Sequence, residues 1–94
     1  DETVVTRSGI IVVDDLEQAK AECGDLIWPE ARGRLRWDQA HELQDVVAGR
    51  VPGRPSEDAI TLFESQGVAL EDIAAAQLVY RKAKEQGIGQ ELPF

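Results

Sequence analysis

One cysteine, no excess of positive charge and no long apolar run are the first things this sequence shows by omission. Cys23 stands alone, so no internal disulfide can form, and a reducing cytoplasm is the expected compartment. The thiol reads as a small buried side chain near a helix end rather than as a nucleophile. Lys and Arg number 10 against 18 Asp and Glu, a formal charge of −8. Such a chain has no basic excess to release counterions from a phosphate backbone, so a nucleic-acid partner is not expected. Arg32, Arg34 and Arg36 alternate with other residues but are offset by Glu30 and Asp38, which reads as a solvated loop. No apolar stretch approaches the roughly 18 residues that cross a bilayer, and no signal-peptide pattern is seen, so no membrane partner is expected. Internal repeats and low-complexity segments are missing too. The first residue is Asp1 rather than Met, which reads as a processed or excised piece.

What is present suits one small domain. The 94 residues are 43% hydrophobic and 30% charged, an ordinary globular composition. Ile10-Ile11-Val12-Val13 is a continuous β-branched run bounded by Gly9 and Asp14-Asp15. A strand buried on one face would alternate, so this one reads as buried on both, the mark of a parallel sheet. Asp15 and Gln18 form a capping-box pair, opening a helix from about Leu16 to Glu22 that stops at Gly24. Pro29 and Gly33 mark Asp25 to Arg36 as a connection, with Leu26, Ile27 and Trp28 covering an apolar edge. The spacing of Ala40, Leu43, Val46 and Val47 predicts a second helix over about 38–48, ended by Gly49. The stretch "RVPGRPSED" is turn-rich, because Pro52 and Pro55 hold the preceding residues extended.

A second strand is predicted at Ala59-Ile60-Thr61-Leu62-Phe63, and a long helix from about Val68 to Gln86. In that helix Ala69, Ile73, Ala76, Tyr80 and Ala83 recur at spacings of four and three. Glu71 and Asp72 early, and Arg81, Lys82 and Lys84 late, suit the helix dipole, and Gly87 is the stop. Two strands joined by helical crossovers imply parallel pairing in an α/β sheet. Two are too few to cover their own faces and edges, so the chain reads as the end of a larger domain.

Between the second strand and the long helix lies Ser65-Gln66-Gly67. Ligands of open α/β sheets gather at this end of the strands, and a helix N-terminus there offers free N–H groups. Gly67 permits a positive-φ turn, and the Ser65 hydroxyl both donates and accepts. The same residues also make a plain strand-to-helix turn in which Ser65 caps the helix. Other polar residues read more simply. His41 falls beside Glu42 on the polar side of the second helix. Glu71 and Asp72 are adjacent and do not face one another. Trp28 and Trp37 flank the Arg-rich connection as packing residues.

The segment "ITLFESQGVALEDIAAAQLVYRKAKEQGIGQEL" resembles the C-terminal signature of the ornithine cyclodeaminase/µ-crystallin family. "IIVVDDLEQAKAECGDL" and "ELQDVVAGRVPGRPSEDAIT" resemble the stretches that precede it, so the resemblance spans nearly the whole chain. It implies an α/β fold: residues 1–94 as one segment, the C-terminal part of a Rossmann-like parallel sheet with flanking helices, incomplete in this chain. Residues 68–94 would carry the chain back toward a missing substrate and dimerisation domain.

The resemblance also implies NAD or NADP as cofactor, a small amino-acid substrate, a homo-oligomer, and amino-acid deamination or imino-acid and keto-acid reduction. Ser65 matches the serine at the nicotinamide end of the cofactor. Gln66 matches a position beside the substrate where many relatives are apolar. No catalytic or metal-ligating residue is matched. Gly9, Gly24, Gly33, Gly49 and Gly53 are isolated, so the G-x-G-x-x-G fingerprint and its acidic ribose partner are absent. The family's catalytic aspartate has no counterpart either, Asp14 and Asp15 reading as a cap. The 94 residues alone are therefore expected to be inactive and not to bind the cofactor tightly. From another class, the rival reading is a free-standing, non-catalytic interaction module that keeps the scaffold.

Overall fold

A computed structural model describes residues 1–93. Helix α1 spans Glu2–Arg7, with the Asp1 carboxylate accepting from the Thr3 N–H at its start. Strand β1 follows at Ile10–Val13, then α2 at Leu16–Glu22 and α3 at Gly24–Ala31. A 3-10 turn at Trp37–Gln39 leads into β2, Ala40–Glu42, and α4, Leu43–Val47. After an irregular stretch come β3 at Thr61–Glu64 and α5 at Ala69–Gln86.

The sheet is parallel, in the order β2-β1-β3. Ile11 pairs with Ala40 on one side and with Leu62 on the other, so β1 is central. Its expected burial on both faces holds: Ile11, Val12 and Val13 are all buried. The ladder toward β3 continues past the strand ends, where the Gly9 N–H donates to the Ile60 carbonyl at 2.8 Å. Gly9 also lets the proline-rich stretch close in, since a Cβ there would lie 3.1 Å from Pro55 Cγ.

Alternation decides which residues face the helices. Ile11, Val13 and Ala40 turn to one side and join Val5 of α1, Ala19 of α2, Cys23, Leu26 of α3 and Leu35 in a single core. Leu26 and Val13 are completely enclosed. On the other side Ile10, Val12, Thr61 and Phe63 line a groove of about 260 Å³ with Leu43 and Val46 of α4. Phe63 is 49% exposed there.

Several expectations need correction. The sheet has three strands rather than two, because Ala40–Glu42 pairs with β1 instead of continuing a helix. The Arg36 N–H donates to Gln39 Oε1 at 2.8 Å, closing the tight turn that delivers Ala40 to Ile11. Only the five residues Leu43–Val47 are α-helical, and Val47 is exposed. The expected connection at Asp25–Arg36 instead begins as helix, with Pro29 inside it. Leu26 and Pro29 bury one side of that helix, which outweighs the hydrogen bond that proline cannot donate. Trp28 is exposed rather than packed. Helix α2 keeps its expected bounds with Cys23 as C-cap, but Gly24 behind it opens α3 instead of taking the left-handed conformation of a helix stop.

Helix α5 runs for 18 residues and buries none of them. It makes the molecule long, 55 × 30 × 22 Å, with a Cα radius of gyration of 17.6 Å. A compact chain of this length would have a radius of about 12 Å. Among the described residues no helix is long and apolar enough to cross a membrane.

Candidate functional site

Each parallel strand delivers a carboxylate to the same edge of the sheet. Asp14 follows β1, Glu42 ends β2 and Glu64 ends β3. Asp14 does the organising. Its Oδ2 accepts from Ser65 Oγ at 2.8 Å, from the Gln66 N–H at 3.0 Å and from the Gly67 N–H at 2.8 Å. Its Oδ1 accepts from the Asp15 N–H at 3.0 Å. One carboxylate thus ties the end of the central strand to the whole Ser-Gln-Gly turn.

The turn is held from two further points. The Gly67 N–H also donates to Ser65 Oγ at 3.2 Å, and Gln18 of α2 reaches the Gly67 carbonyl at 3.4 Å. Gly67 sits at φ +86°, where a β-branched residue would be strained, with open space in front of it. Ser65 is exposed and Gln66 half-buried. The Gln66 Oε1 is shielded from solvent and has no hydrogen-bond partner among the described residues.

Electrostatics separate the edge carboxylates. Burial raises the Asp14 pKa, but the hydrogen bonds from Ser65, Gly67 and Asp15 together outweigh it and hold the group below its usual value. Glu64 is shifted upward, first by burial and then by repulsion from Asp25. Burial also raises the Cys23 thiol, which makes it a poor nucleophile. No three metal-ligating side chains converge among the described residues.

The structure places the sequence-selected residues unevenly. Ser65 and Gln66 both lie on the turn, at the carboxyl edge of the sheet. Ser65 does not cap α5: Val68 holds that position, without a side-chain cap. Asp15 caps α2 as expected, accepting from the Gln18 N–H at 2.8 Å. Asp14 is no cap, and sequence reasoning misses its role. The available signal is the doubled aspartate after a buried strand, where one cap would suffice. His41 lies on β2 beside Val12 rather than on a helix. Arg32 and Arg34 pair with Glu2, and Arg36 with Asp38, so the basic trio is locally balanced.

Comparison with known proteins places this geometry in context. The model of the ornithine cyclodeaminase/mu-crystallin family matches residues 1–87. The Delta(1)-pyrroline-2-carboxylate reductase of Thermococcus litoralis, solved with NADH and L-proline, superposes with a TM-score of 0.81 at 40% identity. That match covers 98% of this chain and 28% of the reductase. The iminosuccinate reductase of Paracoccus denitrificans, solved with NAD+, gives a TM-score of 0.71 at 40% identity, covering 100% and 28% of the two chains. The alanine dehydrogenase of Archaeoglobus fulgidus is 36% identical over 91 residues, which is 96% of this chain and 28% of that enzyme. The chain thus spans little more than a quarter of the length of the relatives it matches.

Proposed function

The chain belongs to the ornithine cyclodeaminase/mu-crystallin family, and from that premise we propose that it forms the C-terminal portion of an NAD(P)-dependent enzyme of amino-acid metabolism. The whole enzyme would deaminate a small amino acid or reduce an imino or keto acid. The bound nicotinamide would supply or take up the hydride. Ser65 would meet the nicotinamide end of the cofactor, and Gln66 would stand beside the substrate. Helix α5 and the tail to Phe94 would lead back to a substrate and dimerisation domain, giving a cytoplasmic homo-oligomer. Phe94 itself lies outside the described residues.

The observation that carries this reading is the fixed turn at the carboxyl edge of a parallel sheet, the position where open α/β sheets bind ligands. The residues fit one end of the cofactor. Ser65 is exposed, and a Cβ added to Gly67 would meet nothing within 4 Å, so a flat ring has room to approach. They do not fit the pyrophosphate, which calls for a glycine-rich strand-to-helix turn, and Gly67 is the only glycine in this one. The 94 residues alone should therefore show neither activity nor tight NAD(H) binding.

The test is Ser65→Ala in the complete protein, with NAD(H) affinity and melting temperature measured side by side. Loss of one hydrogen bond should weaken binding about three- to tenfold. A lowered melting temperature with unchanged affinity would make the turn purely structural.

A further inference from the structure

The Ser65 hydroxyl carries one proton and two lone pairs, and the surrounding contacts assign most of them. Asp14 Oδ2, 2.8 Å from Ser65 Oγ, also receives the Gln66 and Gly67 N–H groups. An oxygen receiving three donors has no proton of its own to offer, so the hydroxyl proton must point to Asp14. The Gly67 N–H, 3.2 Å away, takes one lone pair of Ser65 Oγ. One lone pair is left, on a residue that is exposed to solvent.

We propose that Asp14 is a positioning residue that makes Ser65 an obligate hydrogen-bond acceptor, so that Ser65 takes an N–H from the ligand and never donates to a carbonyl or carboxylate oxygen. The inference rests on the reading in which Ser65 meets the nicotinamide end. It selects the NH2 of the carboxamide over its oxygen. It also fixes which way the carboxamide is turned about the bond to its ring. A ligand presenting only oxygen at this point would meet the remaining lone pair of Ser65 Oγ and find no proton to accept.

Binding measurements on the complete protein test this with two cofactor analogues. The acetylpyridine analogue of NAD+ replaces the carboxamide NH2 by methyl and keeps the carbonyl. The thionicotinamide analogue keeps NH2 and replaces the carbonyl oxygen by sulfur. Ser65→Ala should weaken NAD+ and the thio analogue about three- to tenfold and leave the acetylpyridine analogue unchanged. Equal weakening of NAD+ and the acetylpyridine analogue would mean that Ser65 donates; this inference would then be wrong while the cofactor reading stood. No weakening of any of the three would remove the cofactor reading itself. Ser65→Thr, which keeps the hydroxyl, should restore the wild-type pattern, and a Thr variant behaving like Ala would count against the proposal. Asp14→Ala frees the hydroxyl proton and should narrow the wild-type preference for NAD+ over the acetylpyridine analogue. An unchanged preference in a folded Asp14→Ala protein would show that Asp14 does not set the polarity. Should that variant not fold, the Ser65 series alone decides between acceptor and donor.

Discussion

The Glu42 carboxylate accepts a hydrogen bond from the Leu16 backbone N–H at 3.2 Å, linking the last residue of β2 to the first residue of α2. Asp15 accepts from the Gln18 N–H in the same turn, so two carboxylates from different elements satisfy the start of one helix. The contact fixes where β2 ends relative to the β1–α2 junction. It thereby helps to hold the edge from which Asp14 reaches the Ser-Gln-Gly turn.

Glu42→Ala should lower the stability of the complete protein by about 1 kcal/mol, the typical net contribution of one intramolecular hydrogen bond. Glu42→Gln keeps an acceptor and should cost less. Denaturant melts of the two variants check this. Equal stability of both variants and the wild type would show that Leu16 finds water just as readily.

The third strand shows why part of the fold is hidden in the sequence. Ala40-His41-Glu42 contains no β-branched residue, and with Leu43, Val46 and Val47 it has helical spacing. Its strand conformation comes from pairing with Ile11, Val12 and Val13, nearly 30 residues away, and no local preference encodes that. Helix α3 is masked by Pro29, a breaker whose cost is offset by burial with Leu26. By contrast, β1, α2 and α5 are legible because each carries its own period, cap or stop. The turn is legible as a location: strand end, glycine, helix start. Its wiring is not, because the Asp14–Ser65 contact joins residues 51 positions apart.

Core and surface apolar residues on α3 should behave differently. Leu26 is fully enclosed and Trp28 is 64% exposed. Leu26→Ala leaves a cavity among Val13, Cys23 and their neighbours and should cost about 2–5 kcal/mol. Trp28→Ala should change stability by no more than about 0.5 kcal/mol in the absence of a covering partner. Thermal melts of the complete protein would measure both, and a larger loss for Trp28→Ala would reveal an interface on that side.

Acid should act on the edge carboxylates with opposite signs. Asp14 has a folded pKa below its ordinary value, so the stability it contributes is present above about pH 4 and is lost as pH falls through the folded value. Glu64 has a folded pKa above its ordinary value, so it costs nothing in strong acid and costs stability as pH rises through that value. Asp14→Asn should therefore destabilise most near neutrality and progressively less in acid. Glu64→Gln should stabilise near neutrality, with the gain fading in acid. Melting temperature against pH for the two variants tests the pair, and curves moving in the same direction would contradict the assignment.

Helix α5 sets the expectation for the 94 residues in isolation. Leu70, Ile73, Val79 and Tyr80 are each 65% exposed or more, and Phe63 stands open on the uncovered side of the sheet. No residue of α5 is buried, so the helix lacks the tertiary packing from which most helical stability comes. Edge strands and an open apolar groove add further unpaired surface. The isolated chain should therefore self-associate or lose side-chain order, while amides of β1 exchange slowly and those of α5 exchange fast. Ile73→Glu and Val79→Glu together should reduce the association without unfolding the sheet, because neither residue contributes to the core. Light scattering with hydrogen exchange reads both effects. A strictly monomeric chain with protected α5 amides would mean that the helix folds onto its own domain in solution, against the extended placement of α5.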